Sequence, residues 1–127
     1  ALVRELNRIY RSSPALYQVD FSYRGFEWVD FHDSANSVIA FLRRAEDPRD
    51  FILFCCNFTP VPRAGYEFGV PEEGFYEEIL NTDSELFGGS NLGNGGLVSS
   101  RPIPKHGRQS SISVTLPPLA VVAFRKR

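Results

Sequence analysis

Residues 111–116 read Ser-Ile-Ser-Val-Thr-Leu. Apolar and polar side chains alternate without a break. Ile112, Val114 and Leu116 face one way, Ser111, Ser113 and Thr115 the other, which is the pattern of a strand with one face on a core. Working outward, the same period of two recurs at 26–31 (FEWVDF), 37–42 (SVIAFL), 66–70 (YEFGV), 75–80 (FYEEIL) and 119–124 (LAVVAF). The run 51–58 (FILFCCNF) differs, because 51–56 is apolar at every position and therefore suits a central strand covered on both faces. Turn formers separate the runs: Asp33-Ser34-Ala35-Asn36, Glu46-Asp47-Pro48, Pro60-Val61-Pro62, Pro71-Glu72-Glu73-Gly74 and Pro117-Pro118. Many short strands with frequent Pro and Gly between them predict an all-β antiparallel sandwich or barrel.

One segment has the other period. Leu2, Leu6, Ile9 and Tyr10, with Val3, recur at three and four residues, while Arg4, Glu5, Asn7 and Arg8 fall on the opposite side. A short N-terminal helix is expected over the first ten residues, stopped by Ser12-Ser13-Pro14. It has no N-cap residue, and Ala1 already lies inside the apolar pattern, so the chain is expected to be cut from something longer. Residues 82–110 read as one long polar, Gly-rich connection, of the kind that is functional or held by another surface.

Composition narrows the function classes. The chain has 127 residues, 43% of them hydrophobic, and a net charge of −1, which describes a one-domain globular chain. It lacks the basic excess that nucleic acids or anionic membranes demand, so neither is expected as a partner. No apolar run approaches bilayer length, and the start lacks a signal core. Cys55 and Cys56 are neighbours, so in a strand their side chains leave opposite faces and a bond between them would be strained. A disulfide framework is excluded and a reducing, cytoplasmic setting is expected. Asn57-Phe58-Thr59 matches a glycosylation acceptor, which without a secretory signal reads as accidental.

Tests for chemistry mostly fail. Gly88 and Gly93 have the spacing that opens a phosphate loop, but Asn94 and Gly95 stand where Lys and Ser or Thr are needed. A dinucleotide pattern would need a third glycine where Val98 stands. The glycines of 88–96 are therefore read as turn and loop-packing residues. His32 and His106 have no partner at metal-ligand spacing, so no metal is expected. The two cysteines sit in the most apolar run, where buried, inert thiols are expected. One constellation could hold a ligand. Trp28, the only tryptophan, shares a strand face with Asp30 by alternation, and Glu27 adjoins it. A flat ring beside carboxylates covers a sugar's C–H face while the acids accept its hydroxyls. The competing reading is a core or interface tryptophan.

Several stretches carry a family resemblance. These are 2–11 (LVRELNRIYR), 25–28 (GFEW), 37–44 (SVIAFLRR), 57–63 (NFTPVPR), 78–83 (EILNTD), 89–96 (GSNLGNGG), 106–110 (HGRQS) and 116–120 (LPPLA). In this order they resemble the C-terminal part of bacterial 1,4-α-glucan branching enzymes of the α-amylase superfamily. The resemblance implies that residues 1–17 are the last helix of an absent catalytic barrel and 18–127 a β-sandwich of the α-amylase C-terminal type. It implies a parent enzyme that moves α-1,4-glucan segments to 6-hydroxyls through a retaining, covalent mechanism. The catalytic acids of such an enzyme lie upstream, so none is expected here, nor is an organic cofactor. The expected partners are the barrel and an α-glucan, with Trp28, Asp30 and Glu27 as the candidate glycan contacts. The alternative is a stand-alone glycan-binding module.

Overall fold

The structure is a computed structural model that describes residues 2–13, 15, 26–33, 38–82, 94 and 96–127. Along the chain it forms α1 (Leu2–Ser12), β1 (Phe26–Asp33), β2 (Val38–Arg44), β3 (Phe51–Asn57), β4 (Arg63–Val70), β5 (Phe75–Asn81), β6 (Leu97–Ser99), β7 (Ser110–Leu116) and β8 (Ala120–Lys126). Strands in the order β1-β2-β3-β8-β5-β6 make one sheet, and β4 with β7 makes a second. Every pairing is antiparallel. The chain crosses between sheets through 58–62, 71–74, 100–109 and 117–119. Each of the seven expected strand runs overlaps a strand, with Phe58 and Leu119 falling just outside β3 and β8.

The alternation of 111–116 does what it predicts. Ile112, Val114 and Leu116 are buried between the sheets with Phe68 and Val70 of β4, against Val38, Ala40, Leu42, Phe51, Leu53, Cys55, Tyr76, Val122 and Phe124 of the large sheet. Ser113 and Thr115 stay half-exposed. Ser111 departs from the pattern at 2% exposure, and Arg101 pairs with it across a backbone bridge.

β3 lies between β2 and β8, as its two-sided apolar run requires. Its other face feeds a second cluster of Ile9, Ala15, Ala45, Ile52, Leu80 and Ala123, with Phe54 and Ile79 packed against it. α1 is thus the partial cover of the large sheet's outer face. Ile9 is buried there, and Arg125 of β8 donates to the Ser13 hydroxyl just past the helix. Other members of the expected apolar stripe are largely exposed. Val3 is 70% exposed, Leu6 41% and Tyr10 47%.

The expectation of one long connection over 82–110 is corrected in part. Leu97–Ser99 pairs with β5 as the sheet's edge strand. A three-residue strand is too short to show a period. Further on, Lys105 and Arg108 exchange backbone hydrogen bonds around His106 and Gly107, both at positive φ (53° and 75°). That is the pattern of a tight two-residue hairpin. The hairpin lies directly on Gly69 of β4, where an added Cβ would stand 2.1 Å from the Lys105 carbonyl oxygen. The Gly69 amide donates to His106 Nδ1 at 3.1 Å.

Two outcomes follow. Gly69→Ala forces the hairpin off β4 and is expected to cost at least about 2 kcal/mol, as overpacking does; an unchanged urea midpoint would show that the contact is not made. Tyr76 is fully buried, donates its hydroxyl to the Glu72 carbonyl at 2.6 Å, and has its phenol pushed well above the ordinary value by burial. The unfolded chain releases that proton near pH 10 while the folded chain keeps it. Stability is therefore expected to be full below about pH 10 and to fall as pH rises beyond it. Tyr76→Phe should flatten that alkaline loss in pH-dependent denaturant titrations; an unchanged slope would place the titrating group elsewhere.

Candidate functional site

The two ends of the sandwich gather most of the singled-out motifs. At one end β3 stops at Asn57, which is 1% exposed. Its amide nitrogen donates to the carbonyls of Val61 (2.9 Å) and Pro117 (3.0 Å). Its oxygen accepts from the Thr59 amide (3.1 Å) and hydroxyl (2.8 Å). Both donors and both lone pairs are spent. One side chain therefore locks loop 58–62 to turn 117–119, and the Leu119 amide closes the contact by donating to the Thr59 carbonyl at 2.8 Å. The apparent glycosylation acceptor is a buried clamp whose nitrogen is already committed.

Thr82 works beside it. Its amide donates to the Val121 carbonyl (3.1 Å), and its hydroxyl accepts from the Val121 amide (2.9 Å), which extends the β8 ladder by a side chain. Asn94, from the Gly-rich stretch, does the same for β7. It accepts from the Thr115 amide at 2.6 Å and donates to the Thr115 carbonyl at 3.0 Å and to Glu78 at 2.7 Å. An amide side chain presents the same donor and acceptor as a peptide, so Asn94 stands where a neighbouring strand would. Gly88, Gly89, Gly93 and Gly95 lie outside the described residues.

At the opposite end, Glu27 of β1 meets two guanidinium groups. Arg44 of β2 donates to one carboxylate oxygen at 2.7 Å, and Arg108, from the hairpin on β4, contacts the other. Arg44 and Arg108 are mostly shielded while Glu27 is 41% exposed, and burial lowers the pKa of both guanidinium groups. The carboxylate thus ties the edge of the large sheet to the hairpin on the small one. Neither arginine was singled out in the sequence. Both stand in resemblance motifs, but a partner so distant in the chain leaves no local signal.

Of the expected glycan contacts, Trp28 and Asp30 are placed in β1 by their backbone, opposite Phe41 and Ala40 of β2, with a register irregularity between them. Their side chains lie outside the described residues, as does His32. Glu27 is placed as above, with both oxygens engaged by arginine. Cys55 and Cys56 are unbonded and buried, and desolvation raises both thiols, that of Cys55 strongly. A thiol held protonated in an apolar strand is not a nucleophile. Among the described residues no three His, Cys, Asp or Glu side chains converge, and no helix is long and apolar enough to cross a membrane.

The Glu27 bridge should show as a coupling. Glu27→Gln and Arg108→Gln, taken singly and together, are expected to give an interaction energy of about 0.5–2 kcal/mol that shrinks in salt. Additive effects in chemical denaturation would mean that the ion pair contributes nothing to joining the sheets.

Residues 28–127 match the family described as the alpha amylase, C-terminal all-beta domain. The chain is also similar to 1,4-alpha-glucan branching enzymes. It is 53% identical over 124 residues to that of Aquifex aeolicus, covering 98% of this chain and 20% of the enzyme. Against that of Rubrobacter xylanophilus it is 54% identical over 126 residues, covering 99% and 17%. Against that of Paramagnetospirillum magneticum it is 50% identical over 125 residues, covering 98% and 17%. The chain thus spans a fifth or less of the length of these relatives. The sandwich, the motif-bearing ends and these matches agree: the chain belongs to the alpha amylase C-terminal all-beta domain family, homologous to the C-terminal domain of bacterial branching enzymes.

Proposed function

We propose that this chain is the C-terminal accessory domain of a 1,4-α-glucan branching enzyme. Its parent transfers α-1,4-glucan segments to 6-hydroxyls, and its catalytic acids lie outside these residues. The domain supports the catalytic barrel and handles glucan. Residues 1–17 complete the barrel and 18–127 form the domain that packs on it. The observation that carries this reading is the helix: Ile9 anchors α1 to the outer face of the large sheet, while Val3 and Leu6 are exposed. Covering an apolar side chain of this kind contributes about 1.5–3 kcal/mol, so the stripe is a strong docking element for a neighbouring body. Trp28, with Asp30 and Glu27, is the candidate glucan contact on β1.

The test is complementation. The chain is mixed with the upstream four-fifths of the Aquifex aeolicus enzyme, of which it covers 20%. We expect co-elution on size exclusion, branch formation by the mixture, and none by the chain alone. Leu6→Asp should weaken the complex at least about tenfold, the equivalent of about 1.4 kcal/mol. Absence of a complex, or branching by the chain alone, would sink the proposal.

A further inference from the structure

The loop pair locked by Asn57 presents apolar side chains that the fold does not use. Phe58 is 57% exposed, Val61 51% and Leu119 69%, on two loops that a fully satisfied buried amide holds together. Pro60 and Pro62 are exposed beside them. Leu119 also sits at φ 48°. A side chain in that conformation costs about 1–2 kcal/mol relative to glycine. Here the cost is not offset by packing, because the leucine points into solvent. Strain held at an exposed apolar residue is the kind of outlier that marks a contact surface.

We infer that this end of the sandwich, centred on Phe58, Val61 and Leu119, is an α-glucan contact separate from Trp28. The inference rests on the branching-enzyme reading for its ligand class. Size decides against a separate protein as the partner. The three side chains expose roughly 300 Å² at the areas such residues carry, well below the ~800 Å² per partner of a stable protein interface. That area suits two or three sugar rings. Charge agrees. Residues 57–62 and 116–123 contain no Asp, Glu, Lys or Arg, in a chain in which 23% of residues are charged. An uncharged surface matches a neutral polyol and offers nothing to a phosphate or an anionic membrane. The Phe58 ring supplies a flat face for sugar C–H groups, with Val61 and Leu119 flanking it, and the sugar hydroxyls remain in water at the rim. Because the loops are already ordered, little conformational entropy is lost on binding.

The experiment titrates maltoheptaose into the isotope-labelled 127-residue chain and follows its amide resonances. Cellohexaose is the control. We expect maltoheptaose-dependent shifts at 58–61 and 119. Phe58→Ala and Leu119→Asn should each weaken the affinity at least about fivefold. Neither should lower the thermal midpoint, since both side chains are exposed and asparagine tolerates positive φ. Shifts confined to 26–30, no shifts at all, or unchanged affinity in both variants would overturn the inference. So would a dimer in sedimentation that Phe58→Ala dissolves, which would assign the patch to a second copy. None of these results touches the complex with the upstream enzyme segment, so the accessory-domain reading stands or falls separately.

Discussion

β3 must be covered on both faces. Its seven residues are buried at every position but Phe54, and such a strand cannot sit at an edge or on a half-wet sheet. The architecture answers that demand. β2 and β8 flank β3 in the plane, the β4–β7 pair closes the inner face, and α1 lies on part of the outer face. The inner cover is strand on strand and complete. Among the described residues the outer cover comes from α1 at Ile9 and from Ala15 beyond it, and Phe41 and Phe54, stacked 5.2 Å apart, stay only partly buried. The asymmetry between the two faces gives the domain a direction: one side is finished by its own chain, and the other has apolar surface to offer a neighbour.

Holding a two-stranded sheet against a six-stranded one raises a second problem. β4 and β7 have few strand neighbours, and their open backbone edges need partners. Side chains supply part of the answer. Asn94 completes β7 at Thr115, and His106 takes the Gly69 amide of β4. Asn57 and Glu27 then fasten the loops at the two ends, one by neutral hydrogen bonds within a buried site, the other by a partly exposed ion pair. The neutral clamp is insensitive to salt and leaves its loops apolar and uncharged, which suits a surface for a neutral ligand. The ionic clamp is the more adjustable of the two.

Much of this was legible in the residues. The strands at 51–57, 75–81 and 110–116 announce themselves by apolar pattern, and β3's place at the centre follows from its composition. The helix was legible in type and extent, though not in which of its apolar residues would be buried: periodicity puts Leu6 and Ile9 on one side and cannot say that Ile9 is buried while Leu6 is 41% exposed. β6 was not legible, because three residues carry no period. In the candidate site, Glu27 stood out as an acid beside Trp28, but its arginine partners did not. The Asn57-Phe58-Thr59 match read as accidental, but the clamp role of Asn57 appeared only when its four hydrogen bonds were placed.

The sequence by itself determined the class of fold, the central strand and the absence of a cysteine framework, because those depend on neighbouring residues and on the pleat's period of two. Tertiary structure alone decided the contacts between elements distant in the chain. The Asn57 amide reaches Pro117 sixty positions away, and Ser13 meets Arg125 across 112. A side chain's partner across such a separation is set by how whole strands stack. That stacking is a property of the assembled core, which no local pattern encodes.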